Sequence, residues 1–317
     1  EKQKGLAYSI QSFLCNAGSL VGFLFPFIFT WIGISNIAPQ GVVPDSVIYS
    51  FYIGAAILIL CVIYTTVKVK EMPPAEYAEY HGITEEEEKE KINMVKLLIK
   101  APKAFWTVGL VQFFCWFAFM FMWTYTNGSV AANVFDAPTV ETAVNGVSKV
   151  MLDTKSIQYQ DAADWVGVLF AVQAIGSVLW AVCIPLFKDR KLIYSLSLVL
   201  GGLGFISTYF VHNQYVLFIS FLLIGCAWAA MLALPFTILT NALSGGHMGT
   251  YLGLFNGTIC IPQIVAASLG GSILALFTPK GMLPPEINML VMAGVMLIIG
   301  AVCVYLIKET KGEQTKA

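Results

Sequence analysis

Charged residues are scarce in this sequence. Only 12% of its 317 residues are Asp, Glu, Lys or Arg, whereas 57% are hydrophobic. An ordinary soluble domain carries roughly one-quarter charged residues, so this chain has too little charge to cover a water-exposed surface. The formal net charge of -1 also leaves no basic excess of the kind that binds nucleic acid. These shortages exclude a soluble globular domain and predict no nucleic-acid partner.

Metal-binding and redox patterns are missing as well. The seven cysteines all fall inside apolar runs, with no Cys-x-x-Cys pair and no nearby histidine. The three histidines, His81, His212 and His247, lie in or beside polar connections. We therefore predict no disulfide framework, no metal site and no cofactor.

Long apolar runs dominate the chain instead. Hydrocarbon about 30 Å thick requires roughly 20 apolar residues of helix, and eight segments reach that length. They lie near residues 8–34, 49–67, 105–126, 165–186, 192–211, 215–239, 249–277 and 287–307. Open strands would leave backbone groups unpaired in lipid. The sequence thus predicts an all-α membrane protein with eight transmembrane helices, placed as a multi-pass protein in the lipid bilayer of the cell (inner) membrane.

Orientation follows from the basic residues, because lysine and arginine accumulate on the cytoplasmic side of a membrane. If the first residues are cytoplasmic, then of the 18 lysines and arginines only Lys149, Lys155 and Lys280 lie outside. We therefore expect both ends of this chain to face the cytoplasm.

The longest cytoplasmic connection divides the chain unequally. It covers residues 68–104, and within it Thr84 and Glu87 fit a capping box, which predicts a surface helix through Lys100. Two spans precede this connection and six follow it. Six spans after a long charged cytoplasmic connection is the arrangement of one half of a major facilitator transporter, which has two six-helix halves.

This layout gives a provisional division of the chain. Residues 1–67 form the last two helices of an N-terminal half, residues 68–104 the central loop, and residues 105–317 the C-terminal six-helix half with a short tail. The expected fold is a major facilitator fold with eight of twelve helices. The chain opens on Glu1 without a signal-peptide pattern. We therefore expect that Glu1 is not the natural start, that four helices precede it, and that this fragment alone does not transport.

Several motifs sharpen the expectation. They are GLAYSIQSF at 5–13, VPDS at 43–46, YSFYIG at 49–54, ADWVGVLF at 163–170, ALPFTIL at 233–239, MGTYLGLFN at 248–256 and IPQI at 261–264. Together they resemble the sucrose-type and glycoside-pentoside-hexuronide cation symporters of the major facilitator superfamily, over nearly the whole chain and most closely the bacterial members. The pattern from Gly249 to Asn256 followed by Pro262-Gln263 is the most specific part.

The resemblance implies import of a disaccharide or related glycoside together with a cation, with protons favoured over sodium. The arginine-rich signature of that family falls between its second and third helices, before Glu1. By the same resemblance, the carboxylate that couples transport to the cation belongs in the preceding helices.

Candidate substrate-binding residues are amides and aromatic rings at helical spacing, because sugars are bound through their hydroxyl groups and by rings against the pyranose. Asn256 and Gln263 share one helix face, as do Gln112 and Trp116, while Gln173 lies in the next span. We predict that these four amides face a central cavity, with Trp116 as a stacking platform. The alternative is that each amide only bonds a neighbouring helix.

Two prolines lie inside predicted spans, where each removes a backbone hydrogen bond. Pro235 and Pro262 therefore predict kinks, which serve either gating or packing. We assign neither a substrate contact.

The predicted spans contain no Asp, Glu, Lys or Arg. Buried ionisable residues mark proton relays, so the nearest coupling candidates are Asp161 and Asp164 at the mouth of the fourth span. Their alternative role is to cap that helix. Neither an enzyme's paired acids nor a channel's charged ring is visible. A non-transporting sugar sensor, or a transporter of another small polar solute, stays open as an alternative. The identity of the sugar and the oligomeric state are not indicated.

Overall fold

The structure is a computed structural model that describes residues 4–34, 43, 45–70, 72–73, 76, 79–80, 94–144, 147–243 and 248–307. Helices dominate these ranges. They are α1 Lys4–Trp31, α2 Asp45–Lys68, α3 Met94–Ile99, α4 Lys103–Asn133, α5 Ile157–Cys183, α6 Arg190–Ser207, α7 Leu217–Ala242, α8 Met248–Phe255, α9 Gly257–Phe277 and α10 Ile287–Cys303. Short 3-10 turns, Ile184–Leu186 and Val304–Leu306, follow α5 and α10.

Membrane-spanning length is reached by seven helical segments within the described residues. The sequence predicts eight. The remaining one is α1, a helix of 28 residues whose described apolar stretch runs from Phe13 to Phe25. Helices bond their own backbone groups, which is what a chain surrounded by lipid requires. The prediction of an all-α membrane protein is confirmed.

Two span boundaries differ from the prediction. Helix α4 continues past Thr126 to Asn133, because polar side chains there bond within the helix instead of ending it. The Ser129 hydroxyl donates to the Tyr125 carbonyl at 2.7 Å, and the Asn133 amide donates to the Ser129 carbonyl at 2.8 Å. Helix α5 begins at Ile157, well before the predicted Trp165. An apolar run marks where a helix meets lipid, not where its backbone bonding begins.

The predicted seventh span is interrupted at Asn256, between α8 and α9. Here the Thr258 hydroxyl donates to the Phe255 carbonyl at 2.7 Å, while the Ile259 N–H bonds the Asn256 carbonyl at 3.0 Å. A side chain therefore takes the acceptor that a regular helix would offer to the N–H of Ile259. Asn256 keeps a helical conformation, with φ -58° and ψ -24°, so the chain direction is maintained.

The central loop contributes the short helix α3, Met94–Ile99, to the described structure. This helix lies within the predicted surface helix that ends before Pro102. The predicted capping box of Thr84 and Glu87 lies outside the described residues.

Helix α4 lies at the centre of the packing. It contacts α10, α9, α7 and α5, and α7 in turn contacts α5 and α6. Helix α1 packs on α5 and α7, whereas α2 packs on α1. The largest fully buried side chains include Phe105, Phe119 and Phe121 on α4 and Phe221 on α7. The described core is therefore built around α4 and α7.

Glycines allow α5 and α7 to approach closely. A Cβ on Gly225 would lie on the backbone carbonyl of Gln173, and one on Gly176 would lie 2.7 Å from the carbonyl oxygen of Leu222. Lipid provides little hydrophobic drive for helices to associate, so contact between backbones through small residues holds them together. These positions fix the spacing of the helices that carry the predicted site.

A β-hairpin connects α4 to α5 and was not predicted. Strand β1, Thr139–Val144, pairs antiparallel with β2, Val147–Leu152, with Thr139 opposite Leu152. The Asp153 N–H donates to the Pro138 carbonyl at 2.8 Å and closes its base. Strand β1 contains the β-branched residues Thr139, Val140, Thr142 and Val144, which are enriched in strands. A search for runs long enough to span a membrane passes over such a short pattern.

Candidate functional site

One face of α7 collects three of the predicted substrate-binding positions. The Gln112 side chain donates from Nε2 to the Met231 carbonyl at 3.1 Å. The Trp116 ring meets the Trp228 ring edge-on, with centroids 5.8 Å apart, and the backbone of Gln173 lies against Gly225. Gly225, Trp228 and Met231 are spaced three apart, so they follow one another along α7. The structure therefore brings Gln112, Trp116 and Gln173 to a common helix.

The two buried amides are not fully hydrogen-bonded. Gln112 is 0% exposed and Gln173 is 4% exposed. Among the described residues, Gln112 Oε1 and Gln173 Nε2 have no hydrogen-bond partner, and neither does the Ser177 hydroxyl one turn beyond Gln173. An unpaired buried polar atom costs about 1–3 kcal/mol. In this conformation these atoms are enclosed by protein, so a polar solute reaches them only when the surrounding helices separate.

Aromatic rings surround Trp116. Its ring lies 6.4 Å from that of Trp123, and Trp228 contacts both Trp123 and Phe119, with centroids 5.7 and 4.9 Å apart. Trp116 is 9% exposed and its Nε1 has no partner among the described residues, whereas Trp123 is 41% exposed. The predicted stacking ring is thus packed inside an aromatic cluster, and Trp123 is the more open member of it.

Asn256 and Gln263 lie outside the set that contacts α7. Asn256 is exposed at the break between α8 and α9, and Gln263 is half-buried on α9. Neither side chain bonds another residue in the part of the chain that the structure describes. Thr258 packs against Gly109, with a Cβ-to-methyl distance of 3.0 Å for a Cβ built on that glycine. The α8–α9 break therefore lies beside α4, one turn from Gln112.

The predicted capping role of Asp161 and Asp164 is wrong. Ser156 caps α5 instead, because its hydroxyl accepts from the Tyr159 N–H at 3.3 Å. Both aspartates are exposed and lie within α5. With the observed bounds, the statement that the spans contain no acidic residue also fails, since the segment Ile157–Leu186 includes both carboxylates.

Sequence reasoning missed Glu286, the residue before α10. Its carboxyl fills the notch at Gly128 on α4, where a Cβ on that glycine would collide with the carboxyl carbon and oxygens. Burial raises the pKa of Glu286 from 4.5 to about 7. A carboxylate directly before an apolar run, after Pro284-Pro285, was the available signal. A search confined to the interior of the spans does not reach it.

In the described part of the chain, the basic residues on the helices packed against α10 are Lys103 on α4 and Arg190 and Lys191 on α6. Each lies at the start of its helix, whereas Glu286 contacts Gly128 near the end of α4. Tyr125 on α4 is the ionisable neighbour, and its hydroxyl lies against Gly270 of α9. Helix α9 offers only Cys260 as a titratable side chain. The basic residues of α6 lie at the far end of α10, because the Ser195 hydroxyl near the start of α6 bonds the Ala301 carbonyl near the end of α10.

These features define the class of the protein. The described chain is a polytopic α-helical membrane protein with amides, a tryptophan and glycine contacts converging on α7. The family model of the Major Facilitator Superfamily matches residues 141–317. The chain therefore belongs to the major facilitator superfamily, as the layout of its spans predicts, and it is a membrane transporter that moves a small solute across a lipid bilayer. Among curated proteins, no relative matches it.

Proposed function

We propose that the protein imports a sugar, namely a disaccharide or related glycoside, together with protons and by alternating access. The sequence supports this through its resemblance to the sucrose-type cation symporters, most of all in the stretch from Gly249 to Gln263. The observation that carries the proposal is that α7 contacts the Gln112 amide, the Trp116 ring and the backbone of Gln173. In addition, Gln112 Oε1, Trp116 Nε1 and Gln173 Nε2 lack partners among the described residues.

The chemistry of these atoms suits a solute rich in hydroxyl groups. A hydroxyl group both donates and accepts, so it is able to bond the carbonyl oxygen of one amide and the N–H of another. Asn256 and Gln263, beside α4, are proposed as further contacts from α9. Trp116 is proposed as the ring that lies against the sugar.

Alternating access requires two parts that move as units around a central site. We propose residues 105–317 as one unit, residues 1–67 as helices of the opposite unit, and residues 68–104 as the loop between them. The close glycine contacts between α5 and α7 favour movement of these two helices together within the C-terminal unit. The packing of α1 on α5 and α7 favours an interface between units there. We further propose that both chain ends are cytoplasmic and that the hairpin is on the outer side.

Coupling to protons requires a carboxyl group that changes its protonation during the cycle. Asp161 and Asp164 on α5 are candidates from the sequence. Glu286 is the candidate that the structure adds, because its carboxyl is partly removed from water and packs between α4 and α10.

The test is uptake of radiolabelled sucrose and maltose into vesicles that contain the full-length protein. An inward proton gradient should drive accumulation, and a sodium gradient alone should not. Accumulation driven by a sodium gradient alone would show that the coupling cation is sodium rather than the proton. The absence of saturable sugar uptake under either gradient would overturn sugar transport in favour of a sensor or of another solute.

The site itself is tested by Gln173→Leu. This variant should raise KM for the sugar about tenfold, which is the loss of roughly one hydrogen bond to the solute. Gln160→Leu is the matched control, because Gln160 is an exposed amide in the first turn of the same helix, and its KM should not change. Equal KM values in both variants would remove Gln173 from the site.

A further inference from the structure

Helix α7 continues through Pro235 without a break, from Leu217 to Ala242. Proline has no N–H, so it cannot bond the carbonyl four residues earlier. That carbonyl belongs to Met231, which is 0% exposed. Water does not reach such a group inside a membrane, where an unpaired carbonyl is strongly unfavourable. The turn from Met231 to Pro235 therefore needs a donor from outside the helix.

Gln112 on α4 supplies that donor. Its Nε2 lies 3.1 Å from the Met231 carbonyl oxygen, and the two residues are 119 positions apart in the sequence. The direction of the amide follows from the chemistry, because a carbonyl only accepts and must face the NH2 side of the group. The Oε1 atom is left without a partner among the described residues. The orientation of the Gln112 amide is therefore set by the hydrogen bond to the Met231 carbonyl, and Oε1 stays without a hydrogen bond.

The same turn of α4 also contacts α9, at a turn where a proline removes a backbone hydrogen bond. Pro262 on α9 leaves the carbonyl of Thr258 without its usual donor, and Thr258 is the residue that packs against Gly109. Gly109 and Gln112 are one helical turn apart. One turn of α4 therefore contacts the residue four positions before the proline on both α7 and α9.

We propose that Gln112 is an interhelical latch, which replaces the N–H that Pro235 lacks and holds the opened turn of α7 against α4 in this conformation. The bond is between two helices rather than within one, so it breaks when α7 moves relative to α4 and forms again when α7 returns. A backbone bond inside α7 would not release in this way. Pro235 makes the turn flexible, and the Gln112 bond to Met231 stabilises the arrangement in which this turn lies against α4.

The proposal predicts a specific non-additivity between two substitutions. Gln112→Met keeps the length of the side chain but removes the donor, so it should lower the thermal unfolding midpoint of the purified full-length protein. Pro235→Ala returns an N–H to the Met231 carbonyl. In the Pro235→Ala background, Gln112→Met should therefore cause little or no further loss. Equal losses in both backgrounds would overturn the latch.

Hydrogen exchange gives the local measurement. Peptides that cover 229–239 should exchange faster in Gln112→Met than in the unmodified protein, and this difference should disappear in the double variant. Peptides from α10 are the internal control. Faster exchange that persists in the double variant would mean that Gln112 only fills space, which contradicts the proposal. Neither measurement requires a transported sugar, so the latch is tested separately from the proposed function.

Transport tests the release of the latch, and this arm depends on the proposed function. Pro235→Ala should lower the maximal uptake rate several-fold at nearly unchanged KM, because α7 then has a permanent backbone bond at the opened turn. An unchanged rate would overturn the proposed release, whatever the stability measurements give.

Discussion

Helices α2 and α7 are equally apolar but occupy different environments. Within their most apolar stretches, 61% of the α7 residues are buried inside the protein, against 6% for α2. Hydrocarbon is as apolar as leucine, so an apolar side chain in a membrane does not need protein around it. Hydropathy therefore reports that a helix crosses the bilayer, and it does not report which helix forms the core.

The largest effect should come from cavity formation on the buried helix. Ile224→Ala on α7 removes a side chain that is 0% exposed, whereas Ile59→Ala on α2 removes one that is 58% exposed. We expect a loss of about 2–5 kcal/mol in the free energy of unfolding for the first, and a change within about 0.5 kcal/mol for the second. Unfolding of both purified variants in the same detergent measures this. Similar losses would show that α2 is packed against protein in solution.

Replacing a glycine by alanine should change the free energy of unfolding in opposite directions on α7 and α2. A Cβ at Gly225 would collide with the α5 backbone, so Gly225→Ala should cost about 1–3 kcal/mol. At Gly54 on α2 nothing lies within 4 Å of such a Cβ. Gly54→Ala should therefore stabilise the helix by up to about 1 kcal/mol through backbone entropy. Stabilisation by Gly225→Ala would contradict the close approach of α5 and α7.

A third comparison concerns carboxyl groups. The folded pKa of Glu286 is raised from 4.5 to about 7 by burial, so the folded protein favours the protonated form. The contribution of the buried Glu286 carboxyl to the free energy of unfolding is fully present below pH 4.5. This contribution is lost as the pH rises towards about 7. Glu286→Gln mimics the protonated form. It should raise the unfolding midpoint at pH 8 and leave it unchanged near pH 4.5.

Asp161→Asn is the control for that experiment, because Asp161 is an exposed carboxylate on α5. Its unfolding midpoint should stay parallel to that of the unmodified protein across the same pH range. A Glu286→Gln profile that is also parallel would mean that the Glu286 carboxyl is solvated in the folded protein.

In the candidate substrate-binding site, the sequence pattern predicts which residues share a helix face, whereas packing decides what those residues contact. Helical spacing placed Gln112 and Trp116 on one face of α4, and both meet α7 in the structure. The spacing gave no indication that Trp116 is enclosed by other rings or that Met231 takes one side of the Gln112 amide. The contacts of Trp116 with Trp228 and of Gln112 with Met231 join residues more than a hundred positions apart, and a pattern within one helix carries no information about them.

The sequence by itself determined the membrane class, seven of the eight predicted spans and the membership of the major facilitator superfamily. Each of these follows from local composition and motifs, because the bilayer imposes a fixed length and demands internally bonded backbone. Only the tertiary structure decided that Ser156 rather than an aspartate caps α5, that Glu286 enters the notch at Gly128, and that Gln112 bonds the carbonyl opened by Pro235. These depend on which helices touch and at which residues, and interhelical contact between distant segments is set by packing that no local pattern encodes.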